Sequence, residues 1–155
     1  MLATRLKEFL EENHVPFETI PHSQAFTAQE IAATAHVPGK EMAKTVIVKL
    51  DGELAMAVLP APDKVSTTRL KAATGAHDVE LASETEFAEV FPNCEVGAMP
   101  PFGNLWDLPV FVDQRLREDE EIVFNAGSHT ELVKLAYSDY ERLVNPAVAD
   151  LSTRH

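Results

Sequence analysis

Apolar residues return at helical spacing near the start of the chain. Leu2, Leu6, Phe9 and Leu10 would line one side of a helix that must stop before Pro16. Thr27-Ala28-Gln29-Glu30 has the spacing of a capping box, which predicts a second helix through Ile31 and Ala35 as far as Pro38-Gly39. Ser83-Glu84-Thr85-Glu86 and Ser138-Asp139-Tyr140-Glu141 repeat that signature, predicting short helices that end near Pro92 and Asn145-Pro146. Another helix fits residues 68–74, with Gly75 placed as its stop. Elsewhere the apolar pattern shortens to strands. Residues 45–50 and 53–59 flank Asp51-Gly52, a two-residue hairpin signal, and 78–81, 109–112, 122–125 and 131–135 are shorter strand candidates. Helices and strands are interspersed without a βαβ rhythm. The class predicted is α+β: a mixed, strongly curved sheet with helices packed outside.

The hairpin pattern carries a further expectation. Side chains alternate along a strand, so Lys44, Val46 and Val48 share one face. Across a two-residue loop they oppose Leu59, Ala57 and Ala55, while Ile47 shares the other face with Leu54, Met56 and Val58. Small alanines beside a lysine leave room for a ligand, or for a neighbouring helix.

Composition narrows the picture. At 155 residues and 45% hydrophobic, the chain is expected to be a single domain, 1–155, able to bury a core without crosslinks. One cysteine, Cys94, excludes an internal disulfide and any multi-cysteine metal cluster. No stretch has the roughly 20 apolar residues of a membrane span, and the start of the chain turns charged at once, so a cytoplasmic location is expected. The six histidines show no metal-binding spacing, there is no G-x-S-x-G elbow, and no phosphate-binding glycine motif is present. No metal or cofactor is implied. A net charge of −12 argues against DNA binding or a broad RNA surface, because both need a basic face.

Three segments remain that could carry chemistry: Ala43-Lys44-Thr45 at the head of a strand, Gly97-Ala98-Met99-Pro100-Pro101-Phe102-Gly103, and Gly127-Ser128-His129. Taken singly each is ordinary. A strand-end lysine lays its stem on apolar surface, a Gly/Pro run makes a stiff loop, and a histidine in a turn is usually solvated. In this order and spacing they resemble the YbaK/ProX family of aminoacyl-tRNA deacylases, which includes the editing domain of bacterial prolyl-tRNA synthetases. The resemblance runs over residues 17–143. It implies a β-barrel-like mixed sheet ringed by helices.

The same resemblance implies a trans-editing hydrolase that deacylates mischarged aminoacyl-tRNA, with a small amino acid on tRNA-Pro as the expected substrate. Lys44, Gly97 and His129 would carry catalysis: an ammonium for phosphate or ester carbonyl, a backbone that orients the ester, and a histidine shaping the amino-acid side. Thr45, Ala98, Met99, Pro101, Gly127 and Ser128 would contact substrate, as would His22, Phe26 and Thr27, which resemble another segment near the family's pocket. The implied partners are the acceptor end of the mischarged tRNA and prolyl-tRNA synthetase. Two other readings fit the same residues: a tRNA or aminoacyl-adenosine binding module without turnover, and a protein-interaction adaptor that keeps only the fold.

Overall fold

The computed structural model describes residues 4–21, 42–61, 63–91, 94, 98–127 and 131–153. Helix α1 (Thr4–Glu12) buries Leu6 and Leu10 completely. It closes where His14 turns left-handed at φ 55°, with the Val15 N–H bonded back to the Leu10 carbonyl at 3.0 Å and the His14 N–H to Glu11 at 3.1 Å. That pair of bonds satisfies the last carbonyls just ahead of Pro16, the stop the sequence predicts. The helix expected from Thr27 lies outside the described residues.

Strand β1 (Glu18–Pro21) follows, then β2 (Ala43–Leu50) and β3 (Glu53–Pro60). The hairpin register is the one predicted: Lys44 faces Leu59, Val46 faces Ala57 and Val48 faces Ala55. Asp51 and Gly52 both have positive φ, 51° and 87°, which makes the turn type I′, whose twist matches the strands. The Asp51 carboxylate also accepts the backbone N–H groups of His77 and Asp78 at 3.0 and 2.8 Å. This pins the entry of β5 (Val79–Leu81) against the hairpin.

Between β3 and β5 come β4 (Lys64–Val65) and helix α2 (Thr67–Thr74). Ser66 caps α2 by accepting the Arg69 N–H at 3.2 Å, and Gly75 ends it at φ 75°, as predicted. Helix α3 (Glu84–Phe87) carries the expected Ser83/Glu86 capping box. Strands β6 (Val110–Asp113), β7 (Glu121–Asn125) and β8 (Glu131–Ala136) precede helix α4 (Tyr137–Val144) and strands β9 (Ala147–Ala149) and β10 (Ser152–Thr153). The cap predicted at Ser138 is corrected: β8 runs straight into α4, Tyr137 is already helical, and its N–H bonds the Glu120 carbonyl at 2.9 Å.

Five strands pair in the order β5-β2-β3-β6-β9, with β6 and β9 joining in parallel, and an antiparallel sheet runs β1-β8-β7. Strands β4 and β10 form a separate pair. A parallel bridge between Met42 and Val123 joins the two larger sheets. The α+β class is as expected, but among the described residues the sheets do not close into a barrel.

The main core lies between the two larger sheets, where Ile47, Met56 and Val58 meet Ile122, Phe124, Val133 and Leu135 under α1 and α4. The opposite face of β2–β3 is buried as well. Leu70 of α2 packs there with Val48, Ala55, Ala57, Val79 and Leu151. Burial on both faces explains why β3 is buried continuously from Ala55 to Pro60 instead of alternating.

Gly103 shows how tight this packing is. A Cβ there would stand 2.7 Å from Val110 Cγ2 and 3.1 Å from the Leu108 carbonyl oxygen. Gly103→Ala is therefore expected to destabilise the fold by about 1–3 kcal/mol. A urea melt with an unchanged midpoint would show that Val110 and the Leu108 turn give way freely.

Candidate functional site

The described parts of the three segments, residues 43–45, 98–103 and Gly127, lie near one another beside β2. The Met42–Val123 bridge sets that head beside β7, whose chain continues to Gly127. The Gly127 N–H, at φ 96°, donates to the Ala98 carbonyl at 2.8 Å, which ties the 98–103 loop to the turn after β7. From Val48 onward β2 pairs with β5, and just before that the Ile47 carbonyl accepts the Ala82 N–H at 2.9 Å.

A cavity of about 260 Å³ opens beside this part of β2. Thr45 and Ile47 form its floor, Met99 comes from the loop, and Leu81, Ala82, Glu84 and Phe87 close the far side. Helix α3 is fastened there by the Lys49–Glu86 ion pair. The Glu86 carboxyl is held down at about 2, first by its hydrogen bond to Lys49 and then by the Ser83 backbone N–H.

Of the predicted site residues, Thr45 and Met99 line this cavity. Ala98 and Gly127 hold its margin through their mutual hydrogen bond. Pro101 is buried, and its carbonyl accepts the Tyr140 hydroxyl at 2.8 Å, so it anchors the loop to α4. His22, Phe26, Thr27, Gly97, Ser128 and His129 lie outside the described residues. The room expected beside Ala55 and Ala57 is not there. Leu70 and Leu151 fill it, because α2 crosses that face, and the cavity lies toward Thr45 and Ile47 instead.

Lys44 is half-buried at the strand head. Burial pulls its pKa below the usual lysine value; the charge of Asp63 opposes that pull and Lys64 adds to it. Asp63 is only 4% exposed. Its Oδ2 receives the Arg115 guanidinium and, at 3.1 Å, the Ser152 hydroxyl. Ser152 also reaches Asp113 Oδ2 at 2.9 Å, while the Leu151 and Arg115 N–H groups donate to Asp113 at 3.0 and 2.9 Å. Sequence reasoning missed this group of four. Its members are separated by up to 89 residues along the chain, and no local motif joins them.

The structure is an α+β domain with a small cavity beside β2 that Met99 of the Gly/Pro loop helps to line, and Lys44 stands at the head of the same strand without lining that cavity. Residues 22–143 match the aminoacyl-tRNA editing domain, and the chain belongs to that family. It is 27% identical over 151 residues to the multifunctional Ser/Thr-tRNA deacylase ProXp-y of Escherichia coli K12, covering 94% of this chain and 90% of that protein. It is also 30% identical over 119 residues to a proline–tRNA ligase of Staphylococcus saprophyticus, spanning 75% of this chain but 20% of the ligase. The proline–tRNA ligases of Bacillus species are matched over a similarly small share, 19% of their length. Among solved structures, a proposed trans-editing enzyme for prolyl-tRNA synthetase superposes with TM-score 0.83 at 19% identity, over 99% of both chains, and so shares the fold.

The Tyr140–Pro101 bond gives a test of how the loop is held. Tyr140 is fully buried, and removing its hydroxyl strands a buried carbonyl. Tyr140→Phe is expected to cost about 1–2 kcal/mol of stability. It should also speed hydrogen exchange in the 98–103 loop. Exchange rates there equal to wild type would mean the loop is held by its prolines alone.

Proposed function

We propose that the chain is a trans-editing hydrolase that removes a small amino acid from mischarged tRNA-Pro. The Gly127–Ala98 hydrogen bond carries this reading, because it joins two separate loops next to Met99, which lines a cavity together with Thr45 of β2. Membership of the editing family supports it, as does similarity to ProXp-y along nearly the full length of both chains. A cavity of about 260 Å³ is smaller than sites for drug-sized ligands. It suits an amino acid and not a whole nucleotide.

In this reading water attacks the ester carbonyl directly. The tetrahedral oxyanion collapses, the bond to the terminal ribose oxygen breaks, and the proton ends on that oxygen as the free amino acid leaves. The neighbouring ribose hydroxyl orients the water. Lys44 offsets negative charge at the acceptor end, backbone around Gly97 fixes the ester, and His129 shapes the amino-acid side. Cys94 is a poor nucleophile for the reaction, since burial pushes its thiol up to about 11 and leaves little thiolate at neutral pH. The domain acts on tRNA free of, or alongside, prolyl-tRNA synthetase.

Two outcomes test the reading. On tRNA-Pro acylated in turn with alanine, serine, threonine, cysteine and proline, the wild type should release a small non-cognate residue and spare proline. Lys44→Ala should lower that turnover by about 10²–10³-fold. No turnover on any of these substrates would leave a binding module, and near-normal turnover in a folded Lys44→Ala protein would remove Lys44 from the chemistry. Because a chain of net charge −12 has few phosphate contacts to offer, the log of tRNA affinity should fall shallowly with log salt. Two or three contacts give a slope of about −2. A steep slope would reveal an extended RNA surface.

A further inference from the structure

We propose that Asp63 is a positioning residue for Lys44: its carboxylate, fixed by Arg115 and Ser152, holds the Lys44 ammonium at the head of β2. This rests on the reading of Lys44 as the group that meets substrate.

The backbone brings the two residues together. Ala43 pairs with Pro60, the Ala61 N–H donates to the Met42 carbonyl at 2.7 Å, and the Asp63 N–H donates to Pro60 at 3.0 Å. The chain after β3 thus turns back beside the head of β2, which brings Asp63 to the same end of the hairpin as Lys44.

Charge balance supplies the second argument. Asp63 and Asp113 are 4% and 0% exposed, and buried carboxylates need compensation by hydrogen bonds and cations. Ser152 stands between them with one hydroxyl proton, so it can serve only one carboxylate fully at a time. Arg115 supplies one positive charge to Asp63. With Lys44 counted as a fifth member, two cations stand against the two carboxylates. Among the described residues, the charges acting on Lys44 are Asp63, which favours the ammonium, and the exposed Lys64, which disfavours it. Arg115 faces Asp63 from the segment after β6, and Asp113 is reached from Asp63 through Ser152. Arginine stays charged at any working pH, so Lys44 is the cation of this group whose charge can be lost.

The direction of the effect follows. Lys44 works as a cation, so activity should be present below its pKa and lost above it. Without Asp63, burial and Lys64 remain and both favour the neutral amine, so the pKa must fall.

The test is a lysine side-chain NMR titration of the full chain, with Lys44 assigned by Lys44→Arg. Asp63→Asn should lower the Lys44 midpoint by about one unit, a tenfold change in its protonation equilibrium. Arg115→Met should raise it, because Asp63 then has no competing cation. Asp63→Glu should keep it near wild type, and Ser152→Ala, which removes no charge, should move it much less than Asp63→Asn. In deacylation of the best substrate from the acylated tRNA-Pro set, the alkaline limb of kcat/KM should move down with Asp63→Asn. It should not move when the same change is made in Lys44→Arg. An unmoved Lys44 titration in both folded Asp63→Asn and Arg115→Met would overturn the role given to Asp63. A titration that moves while the pH profile of deacylation does not would overturn the role of Lys44 at substrate, and the proposal with it.

Discussion

The arrangement of this molecule hangs on the register of one hairpin. Asp51 and Gly52 adopt the two left-handed conformations of a type I′ turn, and that turn permits only one pairing of β2 with β3. Both faces of the hairpin are buried, one in the main core and one beneath α2. A slip by one residue would send every side chain to the opposite face, exchanging Ile47 and Met56 for Val48 and Ala55. It would also carry Lys44 away from Asp63. The same Asp51 then extends the sheet, since its carboxylate holds the two N–H groups that lead into β5. A turn of two residues therefore sets the strand that forms the cavity floor and the lysine beside it.

Much of this was legible because it is local. The hairpin turn, the stop after α1, the Gly75 cap and the Ser83 capping box are each written within four or five residues, and each stands where the sequence places it. Strands β1, β4, β9 and β10 were not legible. They are two to four residues long, and their partners lie far off in the chain, as with Glu18 opposite Lys134 and Ser152 opposite Val65. Nothing in a short segment such as Lys64–Val65 announces a strand until that partner arrives.

The cavity shows a different limit. Reading Ala55 and Ala57 correctly as a small-residue face left open what would occupy the space, and Leu70 occupies it. Small residues mark close approach, by helix or ligand alike, and only the tertiary path of α2 decides between them. Thr45 and Met99, in contrast, were found through their motifs and do share the cavity. The polar group of Asp63, Asp113, Arg115 and Ser152 left no trace, since isolated aspartates next to apolar strands usually end up in water.

That polar group also bears on where the functional unit ends. The editing-domain match stops at residue 143, before β9 and β10. Yet Leu151 completes the packing under α2 and donates its N–H to Asp113, while Ser152 links Asp113 to Asp63. Arg69 fastens the same segment from outside, through the Ser152 carbonyl at 2.7 Å and Asp150 at 3.0 Å. The last strand therefore closes over buried carboxylates that would otherwise meet water, one of which is the Asp63 whose charge acts on Lys44. Residues beyond the matched region supply part of the electrostatic setting of a residue inside it. The chain's fit to ProXp-y over nearly its whole length, against its small share of the proline–tRNA ligases, is consistent with a tail that belongs to the folded unit and is not an appendage to it.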